Sequence, residues 1–120
     1  MRLLVCGDRH WTNIDIIRRE LKKYPKDTVI IHGCAKGADI LSKIVAIELG
    51  MEYKRFPADW DKYGHNKGSP AGPIRNRKML NEGKPDKVLA FHEDINRSVG
   101  TKDMVNIATK ARVLVEIITK

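Results

Sequence analysis

Residues 28–50 read "TVIIHGCAKGADILSKIVAIELG", and the architecture of the whole chain can be worked out from this segment. The β-branched and aliphatic run Thr28 to His32 has the length and apolar continuity of a strand covered on both faces. It runs directly into Gly33 and Gly37, and from Asp39 onward Leu41, Ile44, Val45 and Leu49 recur at helical spacing until Gly50 stops the pattern. Strand, glycine turn and helix in immediate succession make up the first two-thirds of a βαβ unit, and a parallel partner strand is the natural sequel.

Working outward, the same alternation recurs. "RLLVC" (2–6), "EYKRF" (52–56), "KVLAFH" (87–92) and "RVLVEII" (112–118) are the other strand segments. All but "EYKRF" are nearly continuous in apolar character, as strands buried on both faces are, whereas "EYKRF" alternates and suits a sheet edge. Helices are expected over about 13–24, with Ile14, Ile17, Leu21 and Tyr24 on one stripe, and over "GPIRNRKMLNEG", which has Pro73 in its first turn and ends at Gly83. A last helix from about Thr101 should bury Val105, Ala108 and Ala111. The expected fold is α/β: a single Rossmann-like three-layer domain over residues 1–120, with a mostly parallel sheet of about five strands.

With 120 residues the chain suits one core, and no apolar run approaches a membrane span. "MRLLVCGDRH" is too short in its apolar part for a secretory signal and reads as the first strand, so a cytoplasmic location is expected. Cys6 and Cys34 are too few for a disulfide framework, and with the four histidines they show no metal-ligand spacing, so neither a metal nor a cofactor is expected. The net charge of +8 favours anionic partners, solubility being the plainer explanation.

In parallel α/β sheets ligands bind beyond the carboxyl ends of the strands, and the unusual residues fall there. After the second strand, Gly33, Lys36, Gly37, Ala38 and Asp39 combine close backbone approach, a helix N-terminus and a cation, the makings of a phosphate cradle. The spacing matches neither a Walker A loop nor the dinucleotide fingerprint, and a tight turn with Asp39 as a first-turn acid is the alternative. After the first strand, Gly7, Asp8 and Arg9 repeat the logic, and Trp11 either stacks on a base or packs on the first helix. Residues 57–71 exceed what a connection requires and suit a lid, whose Trp60 and Tyr63 meet a ring ligand or cover a small apolar cluster. Arg75 and Asn76 in a first turn beside a thin apolar stripe, with Met79 on the face of Arg75, point to a polar site, a solvated basic face being the alternative and the reading for Arg77 and Lys78. Ser98, Gly100 and Thr101 offer hydroxyls and N–H groups at the last helix start, where capping alone would account for Thr101.

"VCGDRHWT", "IIHGCAKGAD", "FPADWDKYGHNKGSPAGPIRNRKML" and "VLAFHEDINRSVGTKDMV", in this order, resemble the YspA-type branch of the SLOG superfamily, which is related to the LOG phosphoribohydrolases and to the DNA-processing protein DprA. The resemblance runs from about Arg2 to Val115 and implies a Rossmann-like domain that binds a nucleotide or nucleotide derivative, as sensor or processing protein. Carried over by motif, it implies ligand contacts from Gly7, Asp8 and Arg9, from Gly33, Gly37, Ala38 and Asp39, and from Asp59 and Trp60. It implies further contacts from Arg75, Asn76 and Met79 and from Ser98, Gly100 and Thr101. LOG enzymes carry P-G-G-x-G-T-x-x-E, and aligning Gly100 and Thr101 with it puts Met104 at the glutamate. A thioether cannot transfer a proton, and Asp103 is turned about 100° around the helix.

A nucleotide-binding module is therefore the leading expectation. A nucleotide-cleaving hydrolase using Asp8, Asp39, Asp59 or Glu93 comes second, and single-stranded nucleic-acid binding third, because aromatic residues are only 6% of the chain. No membrane partner is expected. Relatives of this architecture often assemble, which leaves a homo-oligomer open.

Overall fold

The computed structural model describes residues 1–66 and 68–119. Along the chain run β1 (Arg2–Gly7), α1 (Ile14–Leu21), β2 (Val29–His32), α2 (Ala38–Glu48), β3 (Glu52–Arg55), α3 (Trp60–Tyr63) and α4 (Ala71–Gly83). β4 (Lys87–Phe91), a 3₁₀ turn (Ile95–Arg97), α5 (Gly100–Lys110) and β5 (Leu114–Ile118) complete it. The described residues form one five-stranded sheet of order β3-β2-β1-β4-β5, parallel at every pairing. The expected α/β fold with a parallel sheet is what the chain adopts.

The two-residue period of the strands divides the core into two layers. Leu3, Val5, Ile30, Leu89 and Phe91 point to one face, where α1 supplies Ile17 and Leu21 and α2 supplies Val45 and Ala46. Leu4, Cys6, Ile31, Val88 and Ala90 point to the other, against Met79 of α4 and Met104 and Ala108 of α5. Because β1 leads leftward to β2 and β3 while β4 pairs on its other side, strand order reverses between β1 and β4, and a crevice opens at their carboxyl ends.

Several boundaries and faces differ from the sequence expectation. α1 ends at Leu21 rather than Tyr24: Lys23 and Tyr24 donate to Glu20 and Leu21, three residues back, so the last turn tightens ahead of Pro25. In α2 the inward row is Ala38, Ser42 and Ala46 with Val45, small side chains that bring the helix close to β1, and Ile44 is turned outward at 42% exposure. Ala111 is exposed, being already the cap of α5. β3 is the edge strand expected of "EYKRF", with every residue exposed. The apolar strand at 112–118 is the opposite edge: β5 pairs with β4 alone and leaves Leu114 65% exposed. Among the described residues no helix is long and apolar enough to cross a membrane.

Candidate functional site

Two adjoining cavities, of about 740 and 690 Å³, occupy the crevice at the carboxyl ends of the strands. Arg9, His10, Ala35 and Arg75 line both and so form the ridge between them. The first is walled by the ends of β1 and β4 and the start of α5. The second lies between the loop after β2 and the segment carrying α3.

Each loop owes its shape to bonds that its own residues supply. Asp8 N–H donates to the Phe91 carbonyl at 2.9 Å, and the Asp8 carbonyl accepts from Trp11 and Ala38 N–H. Its carboxylate accepts from His10 N–H at 2.8 Å, so Asp8 closes its own turn. Gly37 sits where only glycine fits: its φ is +75°, and a Cβ there would lie 2.3 Å from the Asp8 carbonyl oxygen. The loop from Gly33 to Asp39 is likewise folded inward. Asp39 Oδ2 accepts from Gly33 N–H at 2.9 Å, Ala35 N–H also bonds the Asp39 carboxylate, and Cys34 N–H donates to His32 Nδ1 at 3.2 Å. Four of the amides that would make this loop a phosphate cradle, those of Gly33, Cys34, Ala35 and Ala38, are thus already bonded within the protein.

Arg75 and Asn76 of α4 tie the loops together. Arg75 Nη1 donates to the Gly33 carbonyl and Nε to Asn76 Oδ1. Asn76 Nδ2 in turn donates to the Gly100 carbonyl at 3.2 Å and to Asp103 Oδ2 at 3.0 Å. A Cβ on Gly33 would meet Arg75 Nη1 at 2.3 Å, so this glycine provides the space the guanidinium fills. At the start of α5, Ser98 Oγ accepts from Thr101 N–H at 3.0 Å, leaving the Ser98 hydroxyl hydrogen free to donate.

Burial governs the titration of the groups beneath the crevice. It pushes the Asp39 carboxyl up to about 6, against the opposing pull of Arg75 and of the Gly33 and Ala35 amides. Burial also raises the Cys6 thiol far above its ordinary range, which disfavours the thiolate. His32 is held down to about 4 by burial, with Lys43, Arg55 and Arg75 adding to the effect.

Of the sequence-selected residues, the first cavity gathers Gly7, Asp8, Asp39, Asn76 and Met79 with Ser98, Gly100 and Thr101. The second gathers Gly33, Lys36 and Trp60, and Arg9 and Arg75 belong to both. Four stand apart. Trp11 takes the packed alternative: it is 2% exposed, meets Phe91 edge-on at 5.6 Å, donates Nε1–H to the Asn13 carbonyl and shares a core cluster with Ile17 and Leu21 of α1. Ala38, the first residue of α2, is fully buried facing Gly7 and lines neither cavity. Gly37 and Asp59 line neither cavity; Gly37 packs on the Asp8–Arg9 backbone and Asp59 caps α3 by accepting from Lys62 N–H. Met104, at the LOG glutamate position, is a core residue.

The sequence reading passed over His10, His65, His92 and Arg97, all of which line the first cavity. The rule that selected Gly7 would have found His92, which directly follows β4. His65 stacks on Trp60 with ring centroids 5.8 Å apart, a pairing no local pattern announces. Of the segment 57–71, Lys67 lies outside the described residues. Among the described residues no group of three or more His, Cys, Asp or Glu could hold a metal.

Three comparisons bear on this arrangement. Residues 1–63 match the YspA, cpYpsA-related SLOG family. The chain is 36% identical over 121 residues to the Gene 61 protein of Mycobacterium phage D29, spanning 92% of this chain and 90% of that protein. Its fold superposes with a TM-score of 0.78 on DNA processing protein A (DprA) of Streptococcus pneumoniae, at 19% identity. That match covers 97% of this chain and 49% of the DprA chain, so the chain spans about half of DprA's length.

Proposed function

The chain belongs to the YspA, cpYpsA-related SLOG family, and on that premise we propose that its crevice binds a nucleotide or nucleotide-derived phosphorylated ligand. One observation carries the reading: the start of α5 opens into the first cavity beside Arg97 and Arg75, at the place where strand order reverses. A helix N-terminus offers unpaired N–H groups and partial positive charge, and two guanidinium groups supply full charge, which together suit phosphate oxygens. The second cavity, with the exposed edge of Trp60 and with Lys36, suits the base and sugar. Because much of the Gly33–Asp39 loop is already bonded inward, its part in this reading is to shape the wall and present Lys36, and the phosphates fall to Ser98–Thr101.

Calorimetric titration with AMP, ADP-ribose and other nucleotides tests this. Saturable binding that weakens at least about tenfold in Arg97→Ala, the loss of one charge-assisted phosphate contact, supports it. Absence of binding across the panel overturns it.

A hydrolytic role is the second reading, favoured by one feature: the Asp39 carboxyl lines the cavity and titrates near 6, within the range useful for acid–base work. Incubation with the same nucleotides, followed by chromatography for released base or phosphate, separates binding from turnover. Polynucleotide binding, as the name of DNA processing protein A suggests for that protein, would show instead as retention of single-stranded DNA with a steep salt dependence.

A further inference from the structure

Two histidines stand at matching positions in the sheet, each immediately after or at the end of a central strand. His32 closes β2, and His92 follows β4 directly. Both use the same local device. His32 Nδ1 accepts from the N–H of Cys34 at 3.2 Å, and His92 Nδ1 accepts from the N–H of Asp94 at 3.0 Å. A ring whose Nδ1 is an acceptor carries its proton on Nε2, so both neutral imidazoles present Nε2–H as a donor.

Their surroundings differ. His32 is fully buried beside Tyr53, and its Nε2 is sealed in the protein without a partner. His92 is 8% exposed and lines the first cavity with Arg97, Ser98 and Thr101. Its backbone N–H is fixed to the Ile118 carbonyl at 3.0 Å, and its neighbour Phe91 is paired with Gly7 of β1, so the ring stands at the reversal of strand order. Nε2 makes no hydrogen bond among the described residues and is not sealed off. A nearly buried donor left without a protein partner at a cavity wall is open to a partner that enters the cavity. The backbone N–H groups of Gly100 and Lys102 at the adjacent helix start likewise find no acceptor among the described residues.

We infer that His92 is a ligand-positioning residue whose Nε2–H donates to an oxyanion, completing with the first turn of α5 a seat for a phosphate group. The inference rests on the reading of the crevice as a phosphorylated-ligand site and adds a residue which that reading does not contain. The Asp94 amide fixes which nitrogen carries the proton, so the seat discriminates by direction as well as by charge. Ligands bearing a phosphate should therefore gain from His92, and unphosphorylated nucleosides should not.

The test uses AMP, ADP-ribose and adenosine as probes, with the full chain. His92→Asn keeps an oxygen near the Nδ1 position for the Asp94 amide but loses the far donor; His92→Gln places an amide N–H near the Nε2 position. AMP and ADP-ribose affinity should fall about tenfold in the Asn variant, as for one buried hydrogen bond, and return to within about threefold of wild type in the Gln variant. Adenosine affinity should be the same in all three. Independently of any variant, ¹⁵N–¹H correlation of the wild-type imidazole should show the Nε2–H tautomer, with the Nε2 signal moving on addition of AMP. If wild type binds none of the probes, the parent reading falls and this one with it. If wild type binds but the Asn variant binds equally, Gln is as weak as Asn, or the ring carries its proton on Nδ1, only the role of His92 is overturned.

Discussion

The guanidinium of Arg75 on α4 donates to the backbone carbonyl of Gly33, 42 residues earlier in the chain, at the end of β2. The N–H of the same glycine donates to Asp39 of α2. One peptide segment therefore links a cation from one layer of helices to an acid from the other, across the top of the sheet. The arrangement works only because residue 33 has no side chain to occupy the guanidinium's place.

Removing this link should be felt as lost stability and as altered titration. Arg75→Ala deletes bonds to Gly33 and Asn76 and removes a cation that eases the buried Asp39 carboxylate. We expect a loss of about 2–3 kcal/mol in urea unfolding at pH 7.5. The Asp39 titration, followed by carboxyl ¹³C NMR, should move above its wild-type value of about 6. An unchanged titration would mean that the guanidinium does not act on this acid.

Asp39 and His32 should oppose one another in the pH dependence of stability. Asp39 titrates near 6 in the fold against 3.8 ordinarily, so the folded chain keeps a proton that the unfolded chain releases. Its contribution is fully present below about 4 and is lost as pH rises to about 6, by about 3 kcal/mol. His32 is held near 4 against 6.5, so its contribution is fully present above 6.5 and is lost as pH falls to about 4, again by about 3 kcal/mol. Relative to wild type, His32→Asn should therefore gain stability toward pH 4 and Asp39→Asn toward pH 7. Denaturant unfolding at intervals from pH 4 to 7 reads both slopes, and parallel curves for all three proteins would rule the pair out.

Gly37→Ala should destabilise by about 2–4 kcal/mol, combining left-handed backbone strain with collision against the Asp8 carbonyl. Gly72 in the first turn of α4 has open space around its Cβ position. Gly72→Ala should be neutral or stabilise by up to about 1 kcal/mol. Thermal and urea unfolding of the two alanine variants side by side makes the comparison internal.

The two tryptophans should separate stability from binding. Trp11→Ala empties a core position and should lose about 3–5 kcal/mol. Trp60 is 40% exposed on the segment before α4. Trp60→Ala should change stability by less than about 1 kcal/mol and weaken nucleotide binding by about tenfold, the worth of one stacking contact. A binding defect confined to Trp11→Ala, in protein shown to be folded, would reverse this assignment.

What could be read from the linear chain was whatever repeats over a few residues. The continuous apolar runs, the helical stripe of α1 and the glycine and proline stops are local periodicities, and they sufficed for the parallel α/β architecture and for naming the strand ends where polar residues collect. Burial and hydrogen-bond partnership are different, because they are settled by groups distant in sequence. Trp11 and Trp60 look alike as loop aromatics, yet one is closed over by α1 and the other is not. The apolar runs of β4 and β5 look alike, yet β4 has a strand on either side and β5 on only one. "GCAKGAD" reads as an open cradle, but Asp39, His32 and the Asp8 backbone hold four of its amides within the protein. His92 directly follows its strand in the sequence, and only the fold shows that the Asp94 amide occupies one ring nitrogen and that the residue lines the crevice. Short-range pattern thus set the frame, and long-range packing chose which side chains within it remain available for chemistry.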